Sequence, residues 1–194
     1  MRKYKAAISD TDILINLAKV NRLDILELLF EEITIPHYVY DTEIRKKANR
    51  FLGIITSKIH EGGVFKLLNR KDDKIINSIA KPIIDEMYNY IGKGESECAG
   101  YAAALGTQII VSDNTSDFKW LVDENYVPLT HNDIISICVH FNLIDRDEAE
   151  DIFQSINSNL DRPISMSFDE VYRRSITRFQ SYDLDEYIVI NQPV

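Results

Sequence analysis

Acidic side chains recur where apolar runs end. Asp10 follows Ala6-Ala7-Ile8-Ser9, and Asp113 follows Ile109-Ile110-Val111-Ser112. Glu43 lies beyond the β-branched run Ile33-Thr34-Ile35. Glu95 and Glu97 stand just after Gly94, and Asp117 lies one helical turn beyond Asp113. Carboxylates that converge without cationic partners repel one another and raise each other's pKa. A hard divalent cation removes that penalty. Mg²⁺ or Mn²⁺ takes oxygen ligands, keeps several waters and can activate one of them against a phosphodiester. Each acid alone also has a plain structural reading. Asp and Glu favour helix N-termini, and Glu43 with Lys47 has the spacing of an ordinary i,i+4 pair. The joint pattern of two strand-end aspartates and two helix-borne acids is what points to a metal.

The elements that must position these acids follow from periodicity. Lys5-Ala6-Ala7-Ile8-Ser9 suits a buried strand, and Ile13, Leu14, Leu17 and Ala18 then recur at helical spacing, with Asp12 as N-cap. A second helix is expected from Arg22. A second strand at Ile33-Thr34-Ile35 is stopped by Pro36, which suits the first turn of a helix through Glu43 to Lys47. Further helices are expected over 50–60, 72–91 (with a kink at Pro82) and from Gly94 to Gly106, with strands at Val64–Leu67 and Gln108–Val111. Four more helices are expected near 115–122, 132–141, 146–157 and 168–179. Tyr187-Ile188-Val189-Ile190 suits an added strand or a docking segment. Strands alternating with helices argue for an α/β chain, a three-layer α/β/α sandwich around a mostly parallel sheet. Such sheets carry their sites at the carboxyl ends of strands. Residues 1–140 form the sheet domain, and 141–194 a helical C-terminal extension packed on it.

Composition excludes several classes. The chain has 194 residues, 45% apolar and 27% charged, a globular balance that argues against disorder. No run reaches the roughly 18 to 20 apolar residues of a membrane span. Cys98 and Cys138 have no CxxC spacing, so a disulfide scaffold or a zinc site is not expected, and a cytoplasmic protein with reduced thiols is. The net charge is −9 but polarised: residues 1–100 hold 16 Lys+Arg against 15 Asp+Glu, and residues 101–194 hold 6 against 16. Acidity overall therefore does not exclude a nucleic-acid partner on the N-terminal side.

Ile8-Ser9-Asp10-Thr11-Asp12-Ile13-Leu14-Ile15-Asn16-Leu17 resembles the opening motif of PIN-domain ribonucleases. So does Gly94-Glu95-Ser96-Glu97 with its Ala-rich helix, Leu105-Gly106, and Ser112-Asp113-Asn114-Thr115-Ser116-Asp117-Phe118 after the Ile109–Val111 strand. The Ile35-Pro36…Val39…Glu43-Ile44 segment is similar to the family's second acidic position. The resemblance spans residues 5–120 and extends more loosely through Leu129–Ile135. It implies a PIN-like fold and Mg²⁺- or Mn²⁺-dependent endonucleolytic cleavage of RNA, as in VapC-like toxins of toxin–antitoxin pairs. Asp10, Glu43, Glu95 and Asp113 would be catalytic metal holders, with Asp117 an auxiliary ligand. Glu97 competes with Glu95 as third acid. Glu95 lies 18 residues before Asp113, the spacing the resemblance leads one to expect. Thr11 would order the first acid by its hydroxyl. A cognate antitoxin and a homodimer are the implied partners besides RNA.

Other residues weigh less. Arg45, Lys46, Lys47, Arg50, Lys66, Arg70, Lys71 and Lys74 could flank an RNA backbone or be a solvated face. Tyr38, Tyr40, Tyr88, Tyr90 and Tyr101 could stack on bases, though packing explains such tyrosines as well. His37, His60, His131 and His140 show no triad or zinc spacing. Two alternatives stand. Asp10-Thr11-Asp12 with Lys93 and Asp113 resembles the haloacid-dehalogenase phosphatases, although Leu14 stands where a Thr or Val is expected. A catalytically inactive PIN-like binding module is the other.

Overall fold

The computed structural model describes residues 2–47, 50–68, 73–182 and 188–190. Its centre is a five-stranded, all-parallel sheet of β2 (Ala7–Ser9), β3 (Ile33–Ile35), β4 (Phe65–Leu67), β5 (Ile109–Val111) and β6 (Val127–Leu129), in spatial order β4-β3-β2-β5-β6. Ile8 faces Thr34 on one side and Ile110 on the other. Every residue of β2, β3, β5 and β6 is buried. Sheets covered on both faces read as continuous apolar runs, and these do. The expected Val64–Leu67 strand is β4. β6 was absent from the expectation. Its middle residue is Pro128, which cannot donate to a ladder and is tolerated because β6 is an edge strand.

The chain leaves β2 toward β3 and β4, then returns on the other side as β5 and β6. The crevice where strand order reverses lies between the carboxyl ends of β2 and β5. Those ends carry Asp10 and Asp113. They are stitched together there by the Asp10 N–H donating to the Val111 carbonyl at 2.9 Å.

The expected Lys5–Ser9 strand is β2, and a further strand stands before it. β1 (Arg2–Tyr4) stands apart from β2 and pairs antiparallel with β7 (Ile188–Ile190), so the late apolar run does form an added strand. Tyr187, the acids Asp183–Glu186, and Arg70 and Lys71 of the basic flank lie outside the described residues.

Helices cover both faces: α1 (Thr11–Lys19), α2 (Asp24–Leu29), α3 (Arg45–Lys47), α4 (Leu52–His60), α5 (Lys74–Met87), α6 (Lys93–Leu105), α7 (Phe118–Asp123), α8 (His131–His140), α9 (Arg146–Asn157) and α10 (Phe168–Tyr182). α5 runs through Pro82 as one helix. It lies so close to α6 that a Cβ on Gly100 would sit 2.3 Å from Ile84 Cγ1 and 2.9 Å from the Ala80 carbonyl oxygen. A glycine is required at that contact.

The C-terminal helices share the sheet's core. Ile152, Phe153, Phe168 and Val171 are buried in one apolar cluster with Leu26, Leu29 and Ile135. Polar bonds fix them further. Thr130 and Asp133 form a capping box at the start of α8, and Asp133 also accepts from Ser175 Oγ at 2.8 Å and pairs with Arg178 of α10. Among the described residues no helix is long and apolar enough to cross a membrane.

Candidate active site

Asp10 leaves β2 and occupies the N-cap position of α1, yet its side chain makes no cap hydrogen bond. The expected cap, Asp12, instead lies exposed in the first turn. Aspartate at an N-cap ordinarily accepts from the helix N–H groups. Asp10 is turned elsewhere. Its Oδ2 accepts from Ser112 Oγ at 3.2 Å, and its Oδ1 is buried with no partner.

Glu43 reaches the same place from the other side. The helix after Pro36 widens into a π-turn over Val39–Ile44 before tightening into α3. The extra residue in a π-turn re-aims the side chains that follow, a device found often at functional sites. Glu43 Oε2 accepts from Thr11 Oγ1 at 2.8 Å. The hydroxyl of Thr11 therefore orders the second acid, whereas the family resemblance implies that it orders the first. Thr11 serves Asp10 through its backbone N–H instead.

The third acid comes from α6. Glu95 sits in its first turn, 8% exposed. Next to it, Gly94 keeps open the space that the other two face. A Cβ there would lie 2.9 Å from Glu43 Oε1 and 3.0 Å from Asp10 Oδ1. Glu95 Oε1 accepts from Asn114 Nδ2 at 2.6 Å, and the same amide reaches Asp117 Oδ2 at 3.2 Å. Asp117 Oδ2 also accepts the Gly92 N–H at 3.1 Å. Asp117 thus lies beyond Glu95 at the rim, joined to it by one asparagine.

Electrostatics mark these acids as one group. Burial, and after it the charge of Glu95, pushes the Asp10 carboxyl up to about 8, with Asp12 and Glu43 adding to the push. Burial also raises Glu95, against the Asn114 hydrogen bond and helped by Asp117 and Glu43. No positive charge figures among the main influences on either group.

Asp113 is in a different state. Oδ1 accepts from the His131 backbone N–H at 2.9 Å and lies 2.8 Å from its ring Nδ1, while Oδ2 accepts from Asn16 Nδ2 at 2.8 Å. Burial would raise its pKa. The charge of His131 and the hydrogen bonds from His131 and Asn16 outweigh that, and the carboxyl is held below its ordinary value. Neither His131 nor Asn16 was expected at the site. Both lie inside the motifs quoted above, but only the placement of α8 against β5 shows what they touch.

Glu97 faces away. It lines a groove between α5 and α6 with Asn77, Lys81, Asp85, Lys93 and Tyr101. Two residues of the basic flank are engaged in ion pairs, Arg45 with Asp41 and Lys66 with Glu32. Lys93 lies over the Tyr38 ring at 4.4 Å. Tyr101 is buried and donates to Asn77, and Tyr40 bonds Thr56, so both are packing residues. Tyr88 and Tyr90 are exposed. Burial pushes the Cys98 thiol well up, as suits a core residue.

The donor set fits a hard cation: oxygen-only ligands, mutual repulsion and a buried carboxylate oxygen with no partner. The acids approach a common space without closing on a point, and among the described residues no three His, Cys, Asp or Glu side chains form a ready-made ligand cluster.

A family model described as a PIN domain matches residues 6–119 of the chain. Among solved structures, the chain is similar to VapBC2 from Rickettsia felis, a complex bound to a DNA fragment from its promoter, at 15% identity and TM-score 0.43 over 64% of this chain and 98% of that one. It is similar to VapBC-1 from nontypeable Haemophilus influenzae at 15% identity and TM-score 0.42, over 64% and 97%. Among curated proteins none matches the chain significantly.

Proposed function

This chain belongs to the PIN-domain family, a family of nucleases, and on that footing we propose that it is a Mg²⁺- or Mn²⁺-dependent endoribonuclease. The observation that carries this reading is the unpartnered, buried Oδ1 of Asp10, which faces Glu43 across the space left by Gly94. Asp10, Glu43 and Glu95 would hold the cation, with Asp117 at the rim. Bound there, a divalent cation would let the carboxylates ionise together, activate a water and stabilise the leaving oxygen of a phosphodiester.

The chain's own residues prepare that site. Ser112 holds Asp10 Oδ2 and leaves Oδ1 free to face the cleft. Thr11 fixes Glu43, and Asn114 holds Glu95 and Asp117 in register. Asp10 would give up, on loading, the proton that burial favours. Asp113 accepts three hydrogen bonds, from His131 and Asn16, which leaves room on Oδ2 for it to join Asp10, Glu43 and Glu95 as a ligand. We assign it first the role of tying α1 and α8 to the end of β5. Beside it a cleft of about 330 Å³, lined by Asp12, Asn16, Lys19, Asn159 and Asp161, opens to solvent. Attack by a metal-activated water would leave 5′-phosphate and 3′-hydroxyl ends.

Action as the toxin of a toxin–antitoxin pair, with a cognate antitoxin and a homodimeric state, belongs to the same proposal. The motif resemblance and the family support it. The test is cleavage of an RNA panel with added Mn²⁺ or Mg²⁺, with chelator and with Asp10→Asn. Metal-dependent cleavage that the substitution abolishes is expected. Cleavage that survives both chelator and Asp10→Asn refutes the reading.

A further inference from the structure

On the two segments that meet at Asp117 stands a pair of rings that the reaction does not use. Tyr90 and Trp120 stack at 5.0 Å between centroids with their planes 28° apart. They are 55% and 41% exposed. Two stacked aromatic rings ordinarily hide in a core, and these face water. Both are anchored to the candidate site through the backbone. Tyr90 stands two residues before Gly92, whose N–H donates to Asp117 Oδ2, and Trp120 lies three residues beyond Asp117, on α7. Asn114 joins that same aspartate to Glu95. The segments that carry the ring pair therefore meet at Asp117, at the rim of the candidate site. Lys119, whose ammonium lies 5.9 Å from the Trp120 ring centre, adds a cation on the same edge.

We propose that Tyr90 and Trp120 form a platform on which an unpaired base of the RNA stacks while its backbone crosses the carboxylates. This inference rests on the ribonuclease reading and names its substrate class as single-stranded RNA. Every base has a π-face, so a stacking platform binds without reading sequence, whereas a duplex keeps its bases stacked on one another and offers none. An aromatic pair beside a cluster of acids also answers an electrostatic problem. The acids repel the RNA backbone until a cation is bound, and stacking together with Lys119 holds the strand without needing more positive charge.

Trp120 is the sole tryptophan of the chain, so its fluorescence reports this place alone. The probes are decamers of oligouridylate and oligoadenylate and a duplex of equal length, titrated into the full chain with chelator present. Saturable quenching by the single strands and little by the duplex is expected. With Mn²⁺ added, Trp120→Ala and Tyr90→Ala should each raise KM for the decamers about tenfold with kcat nearly unchanged, and Trp120→Phe should keep KM near that of the parent. Decamers that are cleaved without quenching Trp120, or an unchanged KM in Trp120→Ala, overturn the platform. So does a Trp120 that responds to a protein partner while RNA leaves it unmoved. Quenching by single strands that are never cleaved supports the platform and overturns the ribonuclease reading.

Discussion

The hydroxyl of Thr11 donates a 2.8 Å hydrogen bond to Oε2 of Glu43, tying the first turn after β2 to the π-turn that follows β3. Thr11 itself is fully buried. The bond fixes where the second carboxylate points, so its loss should act through the metal. Thr11→Val keeps the shape and removes the donor. It should lower apparent Mn²⁺ affinity or cleavage rate about 10- to 100-fold, the usual effect of freeing a metal-holding carboxylate, at a stability cost of about 1 kcal/mol. Thr11→Ser should stay close to the parent. Metal titrations of cleavage decide it, and a valine variant that matches the parent would refute the role.

Asp10 links the site to stability. Its carboxyl, ordinarily at 3.8, is pushed up to about 8 by burial and then by Glu95. A folded value above the unfolded one favours the folded chain only while the group is protonated. That contribution is complete below the unfolded value and is lost as pH rises through the folded one. The metal-free chain should therefore lose stability between pH 4 and pH 8, and divalent cations should restore it at the upper end. Asp10→Asn keeps the shape without the charge. At pH 8 with chelator it should unfold later than the parent, by about 1–3 kcal/mol, and gain nothing from Mn²⁺. Denaturant unfolding across that pH range is the measurement. A parent chain indifferent to pH and metal would count against the buried, repelled carboxylate.

Much of this was legible because the strands are short and doubly buried. An apolar run of three residues ending in Asp10 or Asp113 shows both the strand and the acid at its tip. Helix limits such as Arg146–Asn157 follow from the N-cap Asp145 and the apolar spacing of Ala149, Ile152, Phe153 and Ile156. What escaped depends on distant contacts or on backbone detail. β1 exists by pairing with β7 from the far end of the chain. Pro128 disguises β6 until its edge position is known. The π-turn around Glu43 has no residue signature. Thr11 has a carboxylate on either side, and only the fold shows its hydroxyl on Glu43. His131 reaches Asp113 because α8 begins where β6 ends, a placement that spacing alone does not supply.

Asp113 should behave in the opposite sense to Asp10. Burial acts to raise it, but His131 and Asn16 more than offset that and hold it below its ordinary value. Such a carboxylate stabilises the fold above its unfolded value, and the contribution is lost as pH falls through the lower, folded one. Asp113→Ala leaves the His131 N–H, its ring nitrogen and the Asn16 amide without their acceptor. The expected cost at pH 7 is about 2–4 kcal/mol. Asp113→Asn should lose less, since one oxygen remains. Both should flatten the acid limb of the stability profile. Urea unfolding that is unchanged in the alanine variant would show that these bonds do not hold α1 and α8 to the sheet.

Gly94 offers the cleanest separation of site from fold. Its hypothetical Cβ falls 2.9 Å from Glu43 Oε1 and 3.0 Å from Asp10 Oδ1, closer than a methyl group tolerates. The atoms it meets are the ends of side chains, so the backbone need not move. The carboxylates swing apart instead. Gly94 is also the second residue of α6, where alanine is a better helix former than glycine by less than the roughly 1 kcal/mol of a helix interior. Gly94→Ala should therefore fold as well as the parent or slightly better, and yet lose metal binding and cleavage by about 100-fold or more, since an ångström of misplacement at such a centre is enough. Calorimetry for Mn²⁺, thermal unfolding and RNA cleavage on the same preparation give the three readouts. Retained metal affinity in a well-folded Gly94→Ala chain would mean that Asp10 and Glu43 do not share a cation across this glycine.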